Sequence, residues 1–213
     1  MNQKQIFTEY WKVLNDFEDF SKDKFRIERL EVPEFKIEMK KVIPSSPLQC
    51  KACDLHKHGP LRSPLIGDGQ RRILIINRAL PASLIEKKEH FTPEEENSVS
   101  KWLEAIGLDL NNDCTILPFV FCAVKNPQAP DEDALQNCFA FIDRQIDETN
   151  PEVILILGRE GARFFEDRTG SVTEYKKKPV FVSYHPSDVL IDLSLKRPVW
   201  EVLKNIKDVI VGA

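Results

Sequence analysis

Apolar positions follow two rhythms along this chain. Between residues 1 and 22, Ile6, Tyr10, Trp11, Leu14, Phe17 and Phe20 recur at helical spacing, which predicts an amphipathic helix with an aromatic stripe. Residues 23–47 mix charges with Pro33, Pro44 and Pro47 and read as an irregular arm. From there the pattern alternates. RILII at 72–76 is a short apolar run ending at Asn77, as expected of a buried parallel strand. A helix over 94–106 follows, with Val99, Trp102, Leu103 and Ile106 on one face and Gly107 placed to end it. TILPFVF at 115–121 is a second strand, weakened by Pro118. Asp131 can cap a helix over 131–148. VILILG at 153–158 is a third strand, followed by a helix over 159–167. PVFVSYH at 179–185 is a fourth strand, and a closing helix over 196–210 carries Trp200, Leu203, Ile206 and Ile210 in register.

This alternation predicts a three-layer α/β/α domain with a mainly parallel, four-stranded central sheet over residues 48–213, preceded by the helix and arm of residues 1–47. In such sheets sites form beyond the strand C-terminal ends, so the loops after Ile76, Phe121, Leu157 and Tyr184 are where chemistry is expected.

Composition narrows the class. The 213 residues carry 42% apolar and 30% charged side chains, ordinary for a globular protein. No apolar run reaches the roughly 20 residues needed to span a bilayer. The N-terminus has acids among its apolar positions and no signal-peptide core, so a cytoplasmic location is the default expectation. A monomer is the default for oligomeric state. The formal charge of −4 supplies no general attraction to nucleic acid, so any such contact must come from a local patch such as Lys176, Lys177 and Lys178, or else that run is a solvated charge cluster.

Five cysteines in a chain without an export signal point away from a disulfide framework and towards ligation. Cys50 and Cys53 form a Cys-Lys-Ala-Cys turn, and fifteen residues lie between Cys122 and Cys138; Cys114 is the expected odd one out. A tetrathiolate suits zinc or a 4Fe-4S cluster, and spacing does not separate them. His56 and His58 lie beside Cys53 but read as surface histidines. Gly67-Asp68-Gly69 lacks the Gly-Lys-Ser of a phosphate loop and reads as a turn.

Taken in order, the Cys-x-x-Cys-x-Leu of 50–55, Ile66-Gly67-Asp68-Gly69, RILII, TILPFVFC, Cys138, PEVILILGREGAR and SYHPSDVLIDLSLKRPVWEVLK resemble the iron–sulfur, family-4 branch of the uracil-DNA glycosylase superfamily across residues 48–210. The resemblance implies a 4Fe-4S cluster held by Cys50, Cys53, Cys122 and Cys138, and DNA, including uracil-containing DNA, as the partner. It implies that His185 donates to the base carbonyl and stabilises the departing base, that Phe91 stacks on the flipped base, and that Leu190 wedges into the DNA stack. Asn77, Arg78, Ala79 and Ser187 would line the same base-binding site.

Three family groups are replaced. After the first strand the family has Gly-Glu-Ala-Pro-Gly; here Asn77-Arg78-Ala79-Leu80-Pro81 puts Arg78 at the Glu position, and a guanidinium cannot act as a base. The Asn that reads the amide edge of uracil is replaced by Pro118, and Ile191 stands where an Arg is usual. The expectation is therefore a base-excision-repair class DNA N-glycosylase, a hydrolase, with uracil excision lost or altered. The alternative is a superfamily member without hydrolytic activity that binds DNA, a nucleotide or a protein.

Overall fold

A computed structural model describes residues 44–59, 61–64, 71–124, 130–158, 161, 164 and 172–211. The expected helix over 1–22, nearly all of the arm, Gly67-Asp68-Gly69 and most of the helix expected over 159–167 lie outside the described residues.

Five strands form one sheet: β1 (Ile73–Asn77), β2 (Cys114–Pro118), β3 (Val153–Leu157), β4 (Val172–Tyr175) and β5 (Lys178–Ser183), in the order β2-β1-β3-β5-β4. β1 is parallel to β2 and β3, and β3 to β5; β4 alone runs antiparallel, against β5. The sheet is thus α/β and mainly parallel as the pattern predicted, but with five strands rather than four. The extra strand is hidden in the sequence because it is short and polar-alternating (VTEY), and because its hairpin turn is written Lys176-Lys177. Both turn residues have positive φ (49° and 63°), the backbone of a tight two-residue hairpin that Asn-Gly usually announces. The lysine run is therefore a turn. Lys176 is also neutralised, its Nζ lying 2.6 Å from Asp143 and 2.7 Å from Asp147.

The helices are α1 (Ala82–Lys87), α2 (Pro93–Glu104), α3 (Leu110–Asp113), α4 (Glu132–Thr149), α5 (Pro186–Ile191) and α6 (Lys196–Val211). Asp131 caps α4 through its side chain at 2.7 Å from the Ala134 N–H. Gly107, at φ 83°, closes the end of α2: its N–H reaches the Glu104 carbonyl while that of Leu108 reaches Leu103.

Strand alternation sends β1 side chains to two cores. Leu74 and Ile76 join Leu117, Ile154, Ile156, Val180 and Val182 beneath Phe139 and Ile142 of α4. Ile73 and Ile75 join Val153, Leu155 and Phe181 beneath Val99 and Leu103 of α2 and Val199, Leu203 and Ile206 of α6. Helices cover both faces, giving the three layers. From β1 the chain steps to β2 on one side and then crosses to β3 on the other. In sheets of this kind such a reversal is where a crevice forms, at the C-terminal ends of the parallel strands.

Candidate functional site

The residues that end β1 and follow β5 meet at that crevice. Asn77, the last residue of β1, is 1% exposed and its amide is committed on both sides. Its Nδ2 donates to the His90 carbonyl at 2.7 Å and its Oδ1 accepts from the Arg78 N–H at 2.8 Å. The first of these bonds ties β1 to the segment carrying Phe91, which is buried. The Phe91 ring lies 6.2 Å from that of His185, centroid to centroid, tilted by 38°.

His185 is the cap of α5, with Pro186 fitting the first turn. Its Nδ1 accepts from the Ser187 N–H at 3.1 Å and lies 2.7 Å from Ser187 Oγ. An accepting Nδ1 assigns the ring proton to Nε2. Nε2 is buried and has no hydrogen-bond partner among the described residues. Burial, helped by the nearby Arg78 cation, holds the His185 pKa down to about 3, so the ring is neutral at physiological pH. The result is a neutral N–H donor, fixed in orientation and without a partner among the described residues.

Behind His185 sits a carboxylate that the sequence reading did not single out. Glu95 is 4% exposed in the first turn of α2. Its Oε2 accepts from the Thr92 N–H at 2.9 Å, and the Thr92 side chain accepts in return from the Glu95 N–H, forming a capping box. Its Oε1 accepts from Arg78 Nη2 at 3.0 Å, and Arg78 Nη1 donates to Ser187 Oγ, also at 3.0 Å. The Thr92–Glu95 spacing signals a capping box in the sequence, but only the fold reveals that the same carboxylate balances Arg78. Ser183 Oγ and His90 Nδ1 are two further buried polar atoms without a partner among the described residues. Neither was singled out from the sequence.

Of the other expected site residues, Ala79 is buried in the core cluster under α4, and Leu190 is 48% exposed on α5. Ile191 and Leu193 extend that exposed apolar edge. Pro118 pairs in register with Asn77 at the end of β2 and offers the crevice no side-chain hydrogen bond.

The four expected ligand cysteines share one locality. Cys122 and Cys138 lie in the same buried cluster, and Cys50 packs against it. Residues 61–63 pair with 121–123, through Ser63 N–H to the Phe121 carbonyl and Ala123 N–H to that of Leu61, which ties the Cys50–Cys53 loop to Cys122. Arg62 braces this join by donating to the carbonyls of Gly59, Leu61 and His56. Burial pushes the Cys122 thiol up to about 11; Arg62 opposes the rise, and the charges of Cys53 and Cys50 add to it. Cys138 is raised by burial in the same way, with Cys53, Cys122 and Cys50 contributing. Cys122, Cys138 and Cys50 thus lie at one cluster, near a buried guanidinium whose Nε has no partner among the described residues. Among those residues, no group of three or more His, Cys, Asp or Glu side chains is placed to hold a metal ion. Cys114, at the start of β2, belongs to the opposite core, where burial pushes its thiol up to about 12. His56 turns its Nδ1 to the Cys53 carbonyl. No helix among the described residues is long and apolar enough to cross a membrane.

The chain is similar to the type-4 uracil-DNA glycosylase of Archaeoglobus fulgidus, 28% identical over 174 residues that cover 75% of this chain and 87% of that one. It is 25% identical to the type-4 uracil-DNA glycosylase of Sulfurisphaera tokodaii over 180 residues, 77% of this chain and 81% of the relative. Against that of Thermotoga maritima it is 25% identical over 186 residues, 81% of this chain and 95% of the relative. The sequence profile of the uracil DNA glycosylase superfamily matches residues 64–206, from before β1 into α6, and so takes in both the strand-end crevice and the sheet that builds it. The chain belongs to the uracil DNA glycosylase superfamily.

Proposed function

We propose that this protein takes a deaminated base flipped out of DNA at the strand ends, beside Phe91 and His185, and cleaves its glycosidic bond. Leaving-group stabilisation carries the step, giving slow turnover and loosened base selectivity. The observation that carries this reading is the buried Nε2–H of His185, neutral, oriented and without a partner among the described residues.

A base carbonyl placed on that donor gains negative charge as the bond from C1′ to the base nitrogen breaks and its electron pair leaves with the base. The hydrogen bond therefore tightens in the transition state more than in the ground state. Water attacks C1′ and loses its proton to solvent, and the departing base is reprotonated there. Phe91 supplies a stacking face for the base. Glu95 is buried with both oxygens held by Arg78 and Thr92, so this reading gives that carboxylate no part in activating the water. The missing base corresponds to about 100- to 10,000-fold in rate. Pro118 leaves the amide edge of the base unread, which relaxes discrimination.

Cys50, Cys53, Cys122 and Cys138 would hold a 4Fe-4S cluster that joins the segment before β1 to the end of the β2 loop and to α4. Cys122, Cys138 and Cys50 gather at one cluster, and a set of four thiolates there suits a 4Fe-4S cluster, with zinc as the alternative. The cluster's contribution is structural, and Arg62 supplies a positive charge beside an anionic tetrathiolate.

The test is single-turnover excision from uracil-containing single- and double-stranded DNA by cluster-loaded protein, beside His185→Ala. Cleavage that disappears in the variant is the expected result. A second reading, a base-binding protein without hydrolysis, is favoured by the occupied Glu95 oxygens. It would be accepted if no cleavage occurs while a sugar-fluorinated, uncleavable deoxyuridine in DNA binds more weakly to His185→Ala than to the wild type.

A further inference from the structure

Arg78 donates to Ser187 and Glu95, while His185 Nε2 has no hydrogen-bond partner among the described residues. We infer that Arg78 is a positioning residue for His185, acting through Ser187 to drive a one-way chain of donors onto Nδ1 and so make Nε2–H a stronger donor to an electron-rich acceptor. This deepens the reading of the site given above, and its meaning for excision rests on that reading.

The chain follows from what each atom can do. A guanidinium only donates, so the 3.0 Å contact from Arg78 Nη1 to Ser187 Oγ must fill one of the hydroxyl oxygen's lone pairs. The single hydroxyl proton then has a good acceptor in Nδ1 at 2.7 Å. The Ser187 N–H already donates to the same Nδ1 at 3.1 Å, so Nδ1 carries no proton of its own and receives two bonds. Every dipole in the series points from the cation towards the imidazole. Donation into Nδ1 withdraws electron density across the ring and polarises the opposite N–H. In a buried site such chains strengthen each bond by about 10–30%. Glu95 holds the guanidinium in place by its second arm, and Glu95 is itself fixed by the capping box of α2. A cation at this position therefore acts from behind the imidazole, on the electrophilic side of the reaction, although it has replaced a group expected to help water.

Two variants separate this from a packing role. Ser187→Ala breaks the relay while keeping the Arg78–Glu95 pair and the backbone bond to Nδ1. Arg78→Met with Glu95→Gln removes the cation without stranding a carboxylate, and Gln preserves the capping box. The chain has only four histidines, so isotope-labelled His185 is assigned by comparison with His185→Ala. In both variants the ring should keep its Nε2–H tautomer, and the Nε2-bound proton resonance should move upfield, reporting a weaker, less polarised donor. Unchanged Nε2–H resonances in both folded variants would overturn the inference.

Excision supplies the second readout. Without the relay, release of uracil should fall about tenfold more than release of fluorouracil, whose anion is the better leaving group and needs less help. Equal losses for the two bases would reduce Arg78 to a structural residue. If the wild type cleaves neither base yet the resonance moves as expected, the relay stands and the proposed excision falls.

Discussion

Replacing Arg78 alone by Met should cost the fold a measurable part of its stability. The Glu95 side chain is 5% exposed and that of Arg78 36% exposed, with 3.0 Å between Nη2 and Oε1. Removing one partner from a fully buried pair costs about 3–5 kcal/mol, because the other charge is left desolvated. Solvent already reaches about a third of Arg78, which screens the pair, so the lower figure of about 2 kcal/mol is the expected loss. For a body of this size each kcal/mol is worth about 2–4 °C, so Arg78→Met should lower Tm by about 4–8 °C. Thermal unfolding followed by circular dichroism, with urea titration for the free energy, measures it. The decisive comparison is the double variant Arg78→Met/Glu95→Gln, which removes the stranded charge and should regain at least half of the loss. A single-variant loss within experimental scatter, or a double variant no better than the single, would refute the claim that the carboxylate depends on its guanidinium.

Other expectations can be checked by the same methods. Because the His185 pKa is held down to about 3 from its ordinary 6.5, the unfolded chain binds a proton that the folded one refuses. Its contribution to stability is therefore intact above about pH 6.5 and is lost as pH falls below it, at about 1.4 kcal/mol per pH unit. His185→Gln should flatten urea-derived stability between about pH 6 and 4, and an unaltered slope would mean the acid sensitivity lies elsewhere. Cys138→Ala should abolish the broad visible absorbance of cluster-loaded protein and lower Tm; full retention of iron and colour would exclude Cys138 as a ligand. Lys177→Gly, at φ 63°, should raise stability by about 1 kcal/mol by relieving left-handed backbone, whereas a fall in Tm would show that the lysine side chain matters more than the turn.

The parallel core was readable because β1 and β3 are buried on both faces, so ILII and VILIL stand out as unbroken apolar runs. The long helices α4 and α6 were readable because each turns one apolar stripe inward. β4 was not, since an edge strand needs no apolar run and its turn used Lys-Lys in place of a small residue. α5 was not legible as a helix: the strand pattern ends at His185 and the stretch after it reads as a loop, because a six-residue helix is too short to show a period, although Pro186 at the first helical position was the available sign. At the site, His185 and Phe91 were legible by resemblance. Glu95 was not, because a carboxylate in the first turn of a helix is ordinary until a distant arginine is brought to it. Asn77 was legible as a residue of the site, yet only the fold shows its amide turned inward on both sides.

That inward-turned amide has a kinetic consequence. With Asn77 clamping the His90 carbonyl, the segment carrying Phe91 is held by the fold itself, so the proposed stacking face would be in place before a base arrives. The ordering entropy of the loop is met during folding rather than during docking, which lowers the cost of association. An extrahelical base should then be received in one kinetic step, its observed rate rising linearly with DNA concentration and without an isomerisation plateau. Asn77→Ala would free the loop and give binding a second, saturable phase.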